Sequence, residues 1–471
     1  MNEPTVVILA AGLGTRMRSN KAKVLHEAGG DTLLNHVLRA AATLTSPEQT
    51  VVVIGHQAAE VKGSVITGGV RFAEQTEQKG TGHALLCASR EIQNRDGVLL
   101  ILNGDGPLLK PATLACLLEA QKTARVGGHV VTTDVENPEG YGRIVRDEEG
   151  NIAAIVEQKS ARPHELAIHE INTGVYIFDA GAFWNCLNEI QPNDATGEYY
   201  LTDMVEILSR HGHPVRPFLV KDETELLGIN TRVELAVADG ILRARKNEEL
   251  MLSGVTIENP SSVLIDAGVT VGAETTIGAN VQLRGTTRIG ERCTIGAGSI
   301  LRDCILEDDV TLFAYVVAQD STIGKGAQTG PFSRLRQKAR VGERVHIGNF
   351  VELKNTSMDN GAKANHLAYL GDASIGERTN VGAGTITCNY DGARKHPTVI
   401  ESNVFVGSNA TLVAPIRLGE GSYIAAGSVI TGDVEADALA IGRERQTVKP
   451  GWAKKRREAK EPSSGDKRSG T

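Results

Sequence analysis

The chain has 471 residues, a length that predicts roughly two to four domains, with two as the simplest division. Its 50 Lys and Arg residues and 57 Asp and Glu residues give a net charge of −7, which disfavours nonspecific binding to nucleic acid. A hydrophobic fraction of 41% supports packed cores and excludes a wholly disordered chain. The sequence has neither a run of about 18 apolar residues nor the basic region of a signal peptide, so we expect no membrane partner and a cytoplasmic location.

The cysteine and glycine contents narrow the class of protein further. The cysteines form no CxxC pair and no Cys/His group with zinc-ligand spacing, which favours reduced thiols. Glycine is abundant, with 52 residues, whereas aromatic residues make up only 4% of the chain. This composition argues against a large aromatic core.

The first half of the sequence alternates short aliphatic runs with helix-like stretches. TVVIL at residues 5–9, VVVI at 51–54 and VLLIL at 98–102 are typical of strands that are buried on both faces. Residues 35–44 and 113–123 favour helices. The alternation predicts a doubly wound, Rossmann-like α/β sheet.

The second half has a six-residue period. Aliphatic side chains recur at every sixth position in the series Ile265, Val271, Ile277, Leu283, Ile289, Ile295 and Leu301. This period fits a solenoid in which each hexapeptide forms one short flat side and then turns a corner, with three hexapeptides per coil. Such arrays resemble the left-handed parallel β-helix. We therefore expect an all-β solenoid after the α/β domain.

A helix is predicted between the two halves. Residues 233–250 combine strong helix formers with apolar side chains three to four positions apart. We therefore expect an α/β domain over residues 1–232, a helical linker over 233–253 and the β-helix domain over 254–471.

Three segments interrupt the six-residue register and predict loops that leave the coil: 331–339, 355–374 and 389–396. Loops on a rigid scaffold are frequent places for function. The basic segment from about residue 449 onward predicts a flexible, solvated end of the chain.

A glycine-containing turn follows the first predicted strand. The segment Leu9-Ala-Ala-Gly-Leu-Gly-Thr-Arg16 lets backbone N–H groups approach phosphate. It is neither a P-loop nor a dinucleotide fingerprint, because no GK[ST] follows and Met17 takes the place of the third glycine. Such a turn alone is also compatible with a purely structural role. Arg16 and Lys23 add positive charge suited to a triphosphate and a transferring phosphoryl group.

Further short motifs follow in one order along the first half: Gln75, GTGHA at 80–84, NGD at 103–105, YGR at 141–143, Glu157, NTG at 172–174 and GIN at 228–230. With the turn and KVLH at 23–26, this order resembles the signature of sugar-1-phosphate nucleotidyltransferases. Together with the hexapeptide half, the resemblance covers residues 5–452 and extends to the bacterial family of bifunctional UDP-N-acetylglucosamine pyrophosphorylase/glucosamine-1-phosphate N-acetyltransferases.

That resemblance implies two reactions. The second domain would acetylate glucosamine 1-phosphate with acetyl-coenzyme A, and the first would transfer uridylyl from UTP to the product with release of pyrophosphate. The final product, UDP-N-acetylglucosamine, is a precursor of peptidoglycan and lipopolysaccharide. The resemblance also implies a homotrimer whose acetyl-transfer sites form where neighbouring chains meet.

The resemblance implies a uridylyl-transfer site in the first domain. Arg16 and Lys23 would neutralise phosphate charge, and Asp105 and Asn230 would hold Mg²⁺. The implied UTP- and UDP-N-acetylglucosamine-binding residues are Leu9, Ala10, Ala11, Gly12, Lys23, Gln75, Gly80, Thr81, Asn103, Gly104, Asp105, Gly142, Glu157, Asn172 and Asn230.

It also implies an acetyl-transfer site in the second domain, with His366 as the base that takes the proton from the amine. The implied glucosamine 1-phosphate-binding residues are Arg336, Lys354, Tyr369 and Asn380. The implied acetyl-coenzyme A-binding residues are Ala383, Asn389, Tyr390, Ser408, Ala426 and Arg443.

The sequence departs from the resembled family at five positions. These are Ala22 in place of Pro, Asn103 in place of Tyr, Gly106 in place of Val, Asn365 in place of Gly and Ala368 in place of Thr. Two alternatives remain open: a single-activity sugar-1-phosphate nucleotidyltransferase with a structural β-helix, and a non-catalytic scaffold. The residues around His366 separate the first alternative from the bifunctional hypothesis, because a structural solenoid does not need them. The presence of the charged residues Arg16, Lys23, Asp105 and His366 argues against the scaffold.

Overall fold

The computed structural model describes residues 3–194 and 196–460. The chain divides into two compact units, Met1–Cys304 and Ile305–Thr471, and this division falls inside the solenoid. The domain boundaries expected from the sequence therefore stay predictions.

The first unit contains a mixed sheet whose neighbouring strands run in the order β11-β7-β10-β6-β1-β4-β5, with a hairpin of β8 and β9 attached to β10. Strand β10 is antiparallel to both of its neighbours in this order, whereas the pairs on either side of β1 are parallel. The strands are β1 Thr5–Leu9, β4 Thr50–Ile54, β5 Arg71–Glu74, β6 Val98–Asn103, β7 Gly128–Asp134, β8 Arg143–Arg146, β9 Ile152–Val156, β10 Glu170–Asp179 and β11 Val215–Leu219, and a separate ribbon pairs β2 Glu27–Ala28 with β3 Asp31–Thr32.

Helices cover both faces of this sheet, as the predicted doubly wound α/β fold requires. Val7 and Val53 pack into one hydrophobic core and Ile8 and Val52 into another, because successive strand side chains point to opposite faces. The helices of this unit are α1 Leu33–Ala41, α2 Ala58–Ser64, α3 Thr81–Ala88, α4 Pro111–Thr123, α5 Pro163–Leu166, α6 Ala180–Cys186, α7 Asp203–Arg210 and α8 Arg232–Leu252.

Helix α8 lies where the sequence predicts a connecting helix. It begins with a capping box: Thr231 Oγ1 accepts from the Glu234 backbone N–H at 3.2 Å, and the Glu234 carboxylate accepts from the Thr231 N–H at 2.7 Å. Farther along, Arg243 donates to Asp266 in the first coil of the solenoid at 3.0 Å. Both side chains are buried, so the helix is fixed at both of these points.

The first solenoid coils belong to the same unit and form three parallel sheets in which each strand pairs with the third strand after it. Partner residues such as Leu283 and Leu301 are 18 positions apart, which equals three hexapeptides per coil. These strands are β12 Thr256–Ile257, β13 Leu264–Ile265, β14 Thr270–Val271, β15 Thr276–Ile277, β16 Gln282–Arg284, β17 Arg288–Ile289, β18 Thr294–Ile295 and β19 Ile300–Arg302.

The second unit continues with the same arrangement of three parallel sheets. Its strands are β20 Ile305–Leu306, β21 Thr311–Leu312, β22 Val317–Gln319, β23 Thr322–Ile323, β24 Gln328–Thr329, β25 Arg334–Arg336, β26 Arg340–Val341, β27 His346–Asn349, β28 Glu352–Lys354, β29 Ser357–Met358, β30 Lys363–His366, β31 Tyr369–Gly371, β32 Ala373–Ile375, β33 Asn380–Val381, β34 Ile386–Cys388, β35 Thr398–Ile400, β36 Phe405–Val406, β37 Thr411–Val413, β38 Ile416–Leu418, β39 Tyr423–Ile424, β40 Val429–Ile430 and β41 Leu439–Ala440.

Two of the three predicted loops are wrong. Residues 331–339 and 355–374 contain regular strands, including β30 with His366, and they do not leave the coil. The six-residue register shifts there because several coils have 17 residues, as in the pairs Leu353–Leu370 and Met358–Ile375. The third prediction is confirmed: no strand of the coil lies between Cys388 and Thr398.

The basic C-terminal segment is partly helical. Helix α9 spans Trp452–Glu458, and the part of the predicted flexible end beyond Lys460 lies outside the described residues. Within residues 3–194 and 196–460, no helix has the length and apolar character needed to cross a membrane.

Candidate active sites

The first candidate site is a cleft at the carboxyl ends of β1 and β6. These strands are paired, with Leu9 opposite Asn103. Strands β4 and β5 follow on one side of β1, whereas β6 and the later strands lie on its other side, so the order of strands changes direction between β1 and β6. Ligands of open α/β sheets bind at such a point. The cleft has two adjoining halves that share Leu9, Thr81, Asn103 and Asp105.

Most of the predicted nucleotide- and sugar-binding residues line this cleft. One half is lined by Leu9, Ala10, Ala11, Gly12, Lys23, Gln75, Gly80, Thr81, Asn103 and Asp105. The other is lined by Gly142, Glu157, Asn172 and Asn230 together with the four shared residues. Gly104 lies behind the wall, where its N–H donates to Leu9 O at 2.9 Å and a Cβ would crowd that oxygen.

Arg16, Lys23, Asp105 and Asn230 form one cluster of contacts at the cleft, in which Arg16 is exposed and lines neither half. Lys23 Nζ contacts the Asp105 carboxylate and lies 3.1 Å from Asn230 Oδ1. Arg16 Nη2 donates to the same Asn230 oxygen at 2.8 Å. A carboxylate oxygen and an amide oxygen therefore face one cation, and these are donors that suit a hard divalent metal ion.

The backbone around Asn230 is held by the start of α8. The Asn230 N–H donates to the Glu234 carboxylate at 2.7 Å, and the Ile229 N–H donates to Asp105 O at 3.0 Å. Asn230 is thus fixed relative to Asp105, although the two are far apart in the sequence. Thr231 and Glu234 form a capping box that can be recognised in the sequence, but neither residue is among the predicted site residues.

Gln75 has a fixed orientation in the nucleotide half. Its amide nitrogen donates to Gly80 O at 3.0 Å and lies 3.1 Å from His83 Nδ1. Both amide hydrogens have partners, which leaves Oε1 as the group that can accept from a ligand. Gly80 has φ +90°, and a Cβ there would lie 2.5 Å from Tyr199 O, so the turn requires glycine. Sequence analysis did not identify His83 in this role.

Glu157 and Asn172 lie in the other half of the cleft. Asn172 Nδ2 donates to the Tyr176 hydroxyl at 2.8 Å, and the Gly174 N–H donates to Asn172 Oδ1 at 3.1 Å. Burial, followed by the charges of Asp203 and Glu198, raises the pKa of Glu157 above its usual range. Within residues 3–194 and 196–460 no Lys or Arg forms an ion pair with this half-buried carboxyl, so it is costly to keep ionised, a property that is frequent among ligand-binding groups.

The second candidate site lies in the unit that begins at Ile305. Arg336 and Lys354 occupy equivalent positions on neighbouring coils, as register partners of β25 and β28. Arg336 Nε donates to Glu352 at 2.6 Å, and Lys354 Nζ donates to Asp372 at 3.0 Å. Two cations thus lie side by side, each with one carboxylate.

Two further charged residues complete this cluster, and the sequence analysis missed both. Burial alone would raise the pKa of Asp372, but hydrogen bonds from Asn355, Lys354 and Asn389 lower it below its usual value. Lys354 and the charge of Arg336 lower the pKa of Lys395, whose side chain is exposed. Three neighbouring cations with only two carboxylates give this cluster a positive charge that is chemically suited to an anion. One signal was available: Asp372 follows Lys354 by one coil.

His366 ends strand β30 and is exposed. Its Nδ1 lies 2.7 Å from Asn349 Oδ1, and the two residues are register partners on neighbouring coils. With the Asn349 oxygen as acceptor, Nδ1 carries the proton and Nε2 is available as a base. Asn349 was not predicted, although its separation of one coil from His366 is visible in the sequence.

Tyr369 and Asn389 lie beside Asp372. A Cβ on Gly371 would lie 2.6 Å from the Tyr369 hydroxyl and 2.8 Å from Asn389 Nδ2, so glycine makes room for both. Tyr390 belongs to the loop that leaves the coil, where its hydroxyl donates to Gly392 O at 2.6 Å. Asn380 begins β33, on the coil after Lys363. The structure thus brings Tyr369 and Asn389 directly into the charged cluster.

The four remaining predicted residues lie in the later coils. Val381, Val406 and Ile424 are register partners, so Ala383, Ser408 and Ala426 occupy the same position, one per coil. Next to Ala426, a Cβ on Gly427 would lie 3.8 Å from Arg443 Cδ. The result is a continuous strip of small side chains that ends at a cation.

The departures from the resembled family have different consequences. Asn103 packs against Gly174, where any Cβ would lie 2.0 Å from Asn103 Nδ2. Gly106 has open space, with only Asn103 O within 4 Å of a Cβ there, so the structure does not require glycine at this position. Asn365 approaches Gly348 so closely that a Cβ on the glycine would lie 1.8 Å from Asn365 O. Ala368 is buried at the corner before Tyr369.

Comparisons with known proteins agree with this geometry. Residues 5–224 match the family model described as nucleotidyl transferase, 259–356 match that of the GMPPB C-terminal domain, and 397–432 match that of the bacterial transferase hexapeptide. The bifunctional protein GlmU of Solibacter usitatus is 52% identical over 96% of this chain and 97% of its own length. Those of Koribacter versatilis and an Exiguobacterium species are each 45% identical over 96% of this chain, and over 97% and 100% of their own lengths.

The fold and the two sites define a transferase with one nucleotidyl-transfer half and one hexapeptide half. The chain belongs to the family of the bifunctional protein GlmU. Membership implies the use of a divalent metal ion and of small-molecule substrates.

Proposed function

We propose that the chain makes UDP-N-acetylglucosamine in two steps, one at each candidate site. Similarity to bifunctional relatives along nearly the whole chain supports the pair of reactions. The observation that carries the assignment of residues is that each site gathers the charges that its substrate would need. The cleft gathers Arg16, Lys23 and Asp105, and one sheet of the solenoid gathers Arg336 and Lys354, while His366 lies on another of its three sheets.

In the cleft, UTP and N-acetylglucosamine 1-phosphate bind side by side. The sugar-phosphate oxygen forms a bond to the α-phosphorus of UTP while the bond from that phosphorus to the bridging oxygen of pyrophosphate breaks. Arg16 and Lys23 neutralise the phosphates and align them. Mg²⁺, held by Asp105 and Asn230, would supply further neutralisation of phosphate charge.

The remaining cleft residues select the two substrates. Gln75 Oε1 accepts from the N3–H of uracil, because both of its amide hydrogens are already held by Gly80 and His83. Glu157 and Asn172 hold the sugar hydroxyls and the acetamide at the other end. Thr81 and Asn103, which line both halves, lie where the two substrates meet.

In the solenoid, Arg336, Lys354 and Lys395 bind the phosphate of glucosamine 1-phosphate. His366 Nε2 takes a proton from the substrate ammonium, and the resulting amine attacks the thioester carbonyl of acetyl-coenzyme A. The new amide bond forms as the carbon–sulfur bond breaks and coenzyme A leaves as a thiol. The strip Ala383, Ser408 and Ala426 accommodates the pantetheine arm, and Arg443 pairs with its phosphates.

A homotrimer in the cytoplasm completes the proposal. Hexapeptide repeats favour side-by-side packing of solenoids, and the exposed position of His366 is consistent with a site that a neighbouring chain helps to enclose. The absence of a membrane-spanning helix in the described residues fits substrates that are small and water-soluble.

A coupled assay on the purified chain tests both assignments. Glucosamine 1-phosphate and acetyl-coenzyme A are supplied first and thiol release is followed; UTP and Mg²⁺ are then added and pyrophosphate is followed. We expect His366→Ala to abolish the thiol signal and, with it, the pyrophosphate signal, which supplied N-acetylglucosamine 1-phosphate should restore. Asp105→Ala should abolish only the pyrophosphate signal. Pyrophosphate release from pre-acetylated sugar phosphate without any thiol release would instead favour a single-activity nucleotidyltransferase with a structural β-helix.

A further inference from the structure

Ala22, the residue before Lys23, has an unusual combination of backbone features. Its φ of −53° and ψ of 139° are values that proline also adopts. Unlike proline it has an N–H, and this group donates to Gln57 Oε1 at 2.6 Å. Ala22 is 1% exposed, so the hydrogen bond satisfies a donor that water would not reach.

Gln57 has an unusual backbone of its own. Its φ of +52° lies in the left-handed region, which costs energy for any residue other than glycine. Its carbonyl accepts from the Val61 N–H at 3.0 Å as α2 begins, but its side chain makes no capping bond to that helix. A residue kept in an unfavourable conformation invites a functional explanation, and here the side chain reaches Ala22.

The contact lies next to the cation of the cleft. Lys23 follows Ala22 and begins a 3₁₀ turn whose Val24 and Leu25 are buried in the same core as Val61 of α2. On the other side, a Cβ on Gly14 would lie 2.6 Å from Lys23 Cβ, so the glycine turn packs directly on the lysine. The 3₁₀ turn holds this backbone through its own hydrogen bonds, and the Gln57 bond adds a polar contact from α2 to the backbone from which Lys23 reaches Asp105 and Asn230.

We propose that Gln57 is a positioning residue for uridylyl transfer: its side chain holds the backbone at Ala22 and thereby aims Lys23 at the phosphates. The hydrogen bond does what a proline ring would do by covalent restriction. The inference rests on the proposed role of Lys23 in the cleft, and it assigns to Gln57 no contact with substrate.

A double-mutant cycle tests the proposal with the full-length protein. Gln57→Gly removes the acceptor and accepts φ +52° without strain, and we expect kcat/KM for UTP to fall about fivefold. In the Ala22→Pro background no N–H is left to hold, so the same change should alter kcat/KM less than about twofold. Gln57→Glu keeps an acceptor oxygen and should stay within about twofold of the parent. Thiol release in the acetyl-transfer assay is the internal control and should not change.

Amide hydrogen exchange at Ala22 provides a second readout that needs no proline. We expect slow exchange in the parent and in Gln57→Glu and at least about tenfold faster exchange in Gln57→Gly. Equal losses of kcat/KM from Gln57→Gly in the Ala22 and Pro backgrounds would overturn the proposal, because Gln57 would then act through α2. Unchanged exchange at Ala22 in Gln57→Gly would also overturn it.

The Lys23→Ala variant distinguishes a failure of the proposed role of Gln57 from a failure of the proposed role of Lys23. Loss of uridylyl transfer in Lys23→Ala together with additive effects at positions 22 and 57 overturns the role of Gln57 alone. Full activity of Lys23→Ala overturns the proposed role of Lys23 in the cleft, and the positioning of that lysine by Gln57 with it.

Discussion

The cleft and the solenoid site gather their residues in different ways. The cleft takes residues from loops that are far apart in the sequence, such as Lys23, Asp105 and Asn230, and the sheet determines which of them meet. The solenoid site takes residues that follow one another by about one coil, such as Arg336, Lys354 and Asp372. A contact in the solenoid can thus be read from a sequence interval, whereas a contact in the cleft requires the topology.

The two sites also shift the pKa of a carboxyl group in opposite directions. Burial, reinforced by two other acids, raises the pKa of Glu157 in the cleft. In the solenoid, three hydrogen-bond donors outweigh burial and lower the pKa of Asp372. An ionised Glu157 therefore costs the folded state free energy, while an ionised Asp372 stabilises the fold and binds Lys354.

The largest effect is expected for Asp372→Asn, which leaves Lys354 without its carboxylate. Both side chains are nearly buried, at 7% and 14% exposure, and breaking such a pair costs about 3 kcal/mol. We expect kcat/KM for acetyl transfer to fall about 100-fold, mainly through KM for glucosamine 1-phosphate. Uridylyl transfer should be unchanged, and a comparable loss in both reactions would mean that the substitution unfolds the chain generally.

The pH dependence of the same residue has a defined sign. Because the folded pKa of Asp372 lies below the reference value of 3.8, its contribution to stability is present above pH 3.8 and is lost as the pH falls through the folded pKa. Acid unfolding followed by circular dichroism should therefore begin at higher pH in Asp372→Ala than in the parent. Coincident acid transitions would contradict the stabilising role.

A smaller and opposite effect is expected for Glu157→Gln. The folded pKa lies above the reference value of 4.5, so the parent loses stability as the pH rises from 4.5 through that raised pKa. The glutamine variant should unfold at a higher temperature than the parent at about pH 7.5, and calorimetry should show this gain shrinking towards about pH 4. Its kcat/KM for uridylyl transfer should fall about tenfold, because a charged hydrogen bond to the sugar is lost. A lower unfolding temperature at neutral pH would show that Glu157 stabilises the fold.

The smallest effect is expected for Lys395→Ala. The side chain is exposed, and an exposed charge contributes little that salt does not screen. We expect KM for glucosamine 1-phosphate to rise about threefold to fivefold at low salt and the difference to fade in high salt. Arg394→Ala, an exposed neighbour on the same loop, is the matched control and should leave KM unchanged. Equal rises in KM in the two variants would indicate that the overall positive charge of the loop, and not Lys395 itself, attracts the substrate.

Much of the fold follows from sequence periods, but the exact path of the coil does not. The aliphatic runs and the six-residue repeat identify the α/β sheet and the solenoid. The predicted loops at 331–339 and 355–374 failed because a coil of 17 residues shifts the register without extruding a loop. Backbone hydrogen bonds tolerate that shift, since the strands need only two or three residues on each side.

The sites were predictable where a residue matches a motif and not where it acts through a neighbour. His366 and Lys354 stand in motifs, whereas Asn349 and Asp372 are found only once the coil length is known. His83 stands inside a motif, but its contact with Gln75 depends on how the turn at Gly80 folds. The solenoid partners can be read from the sequence interval once the coil length is known to be 17 or 18 residues, whereas the contact of His83 requires the folded turn.

Helix α8 also limits how the sequence of this family can change in length. Asn230 precedes its first turn, and Arg243 is bound to Asp266 farther along the same helix. One inserted residue between them would rotate the two ends relative to each other by about 100° and separate them by about 1.5 Å. Insertions and deletions are therefore expected to be excluded between these two positions, while the surface turns outside them are free to vary in length.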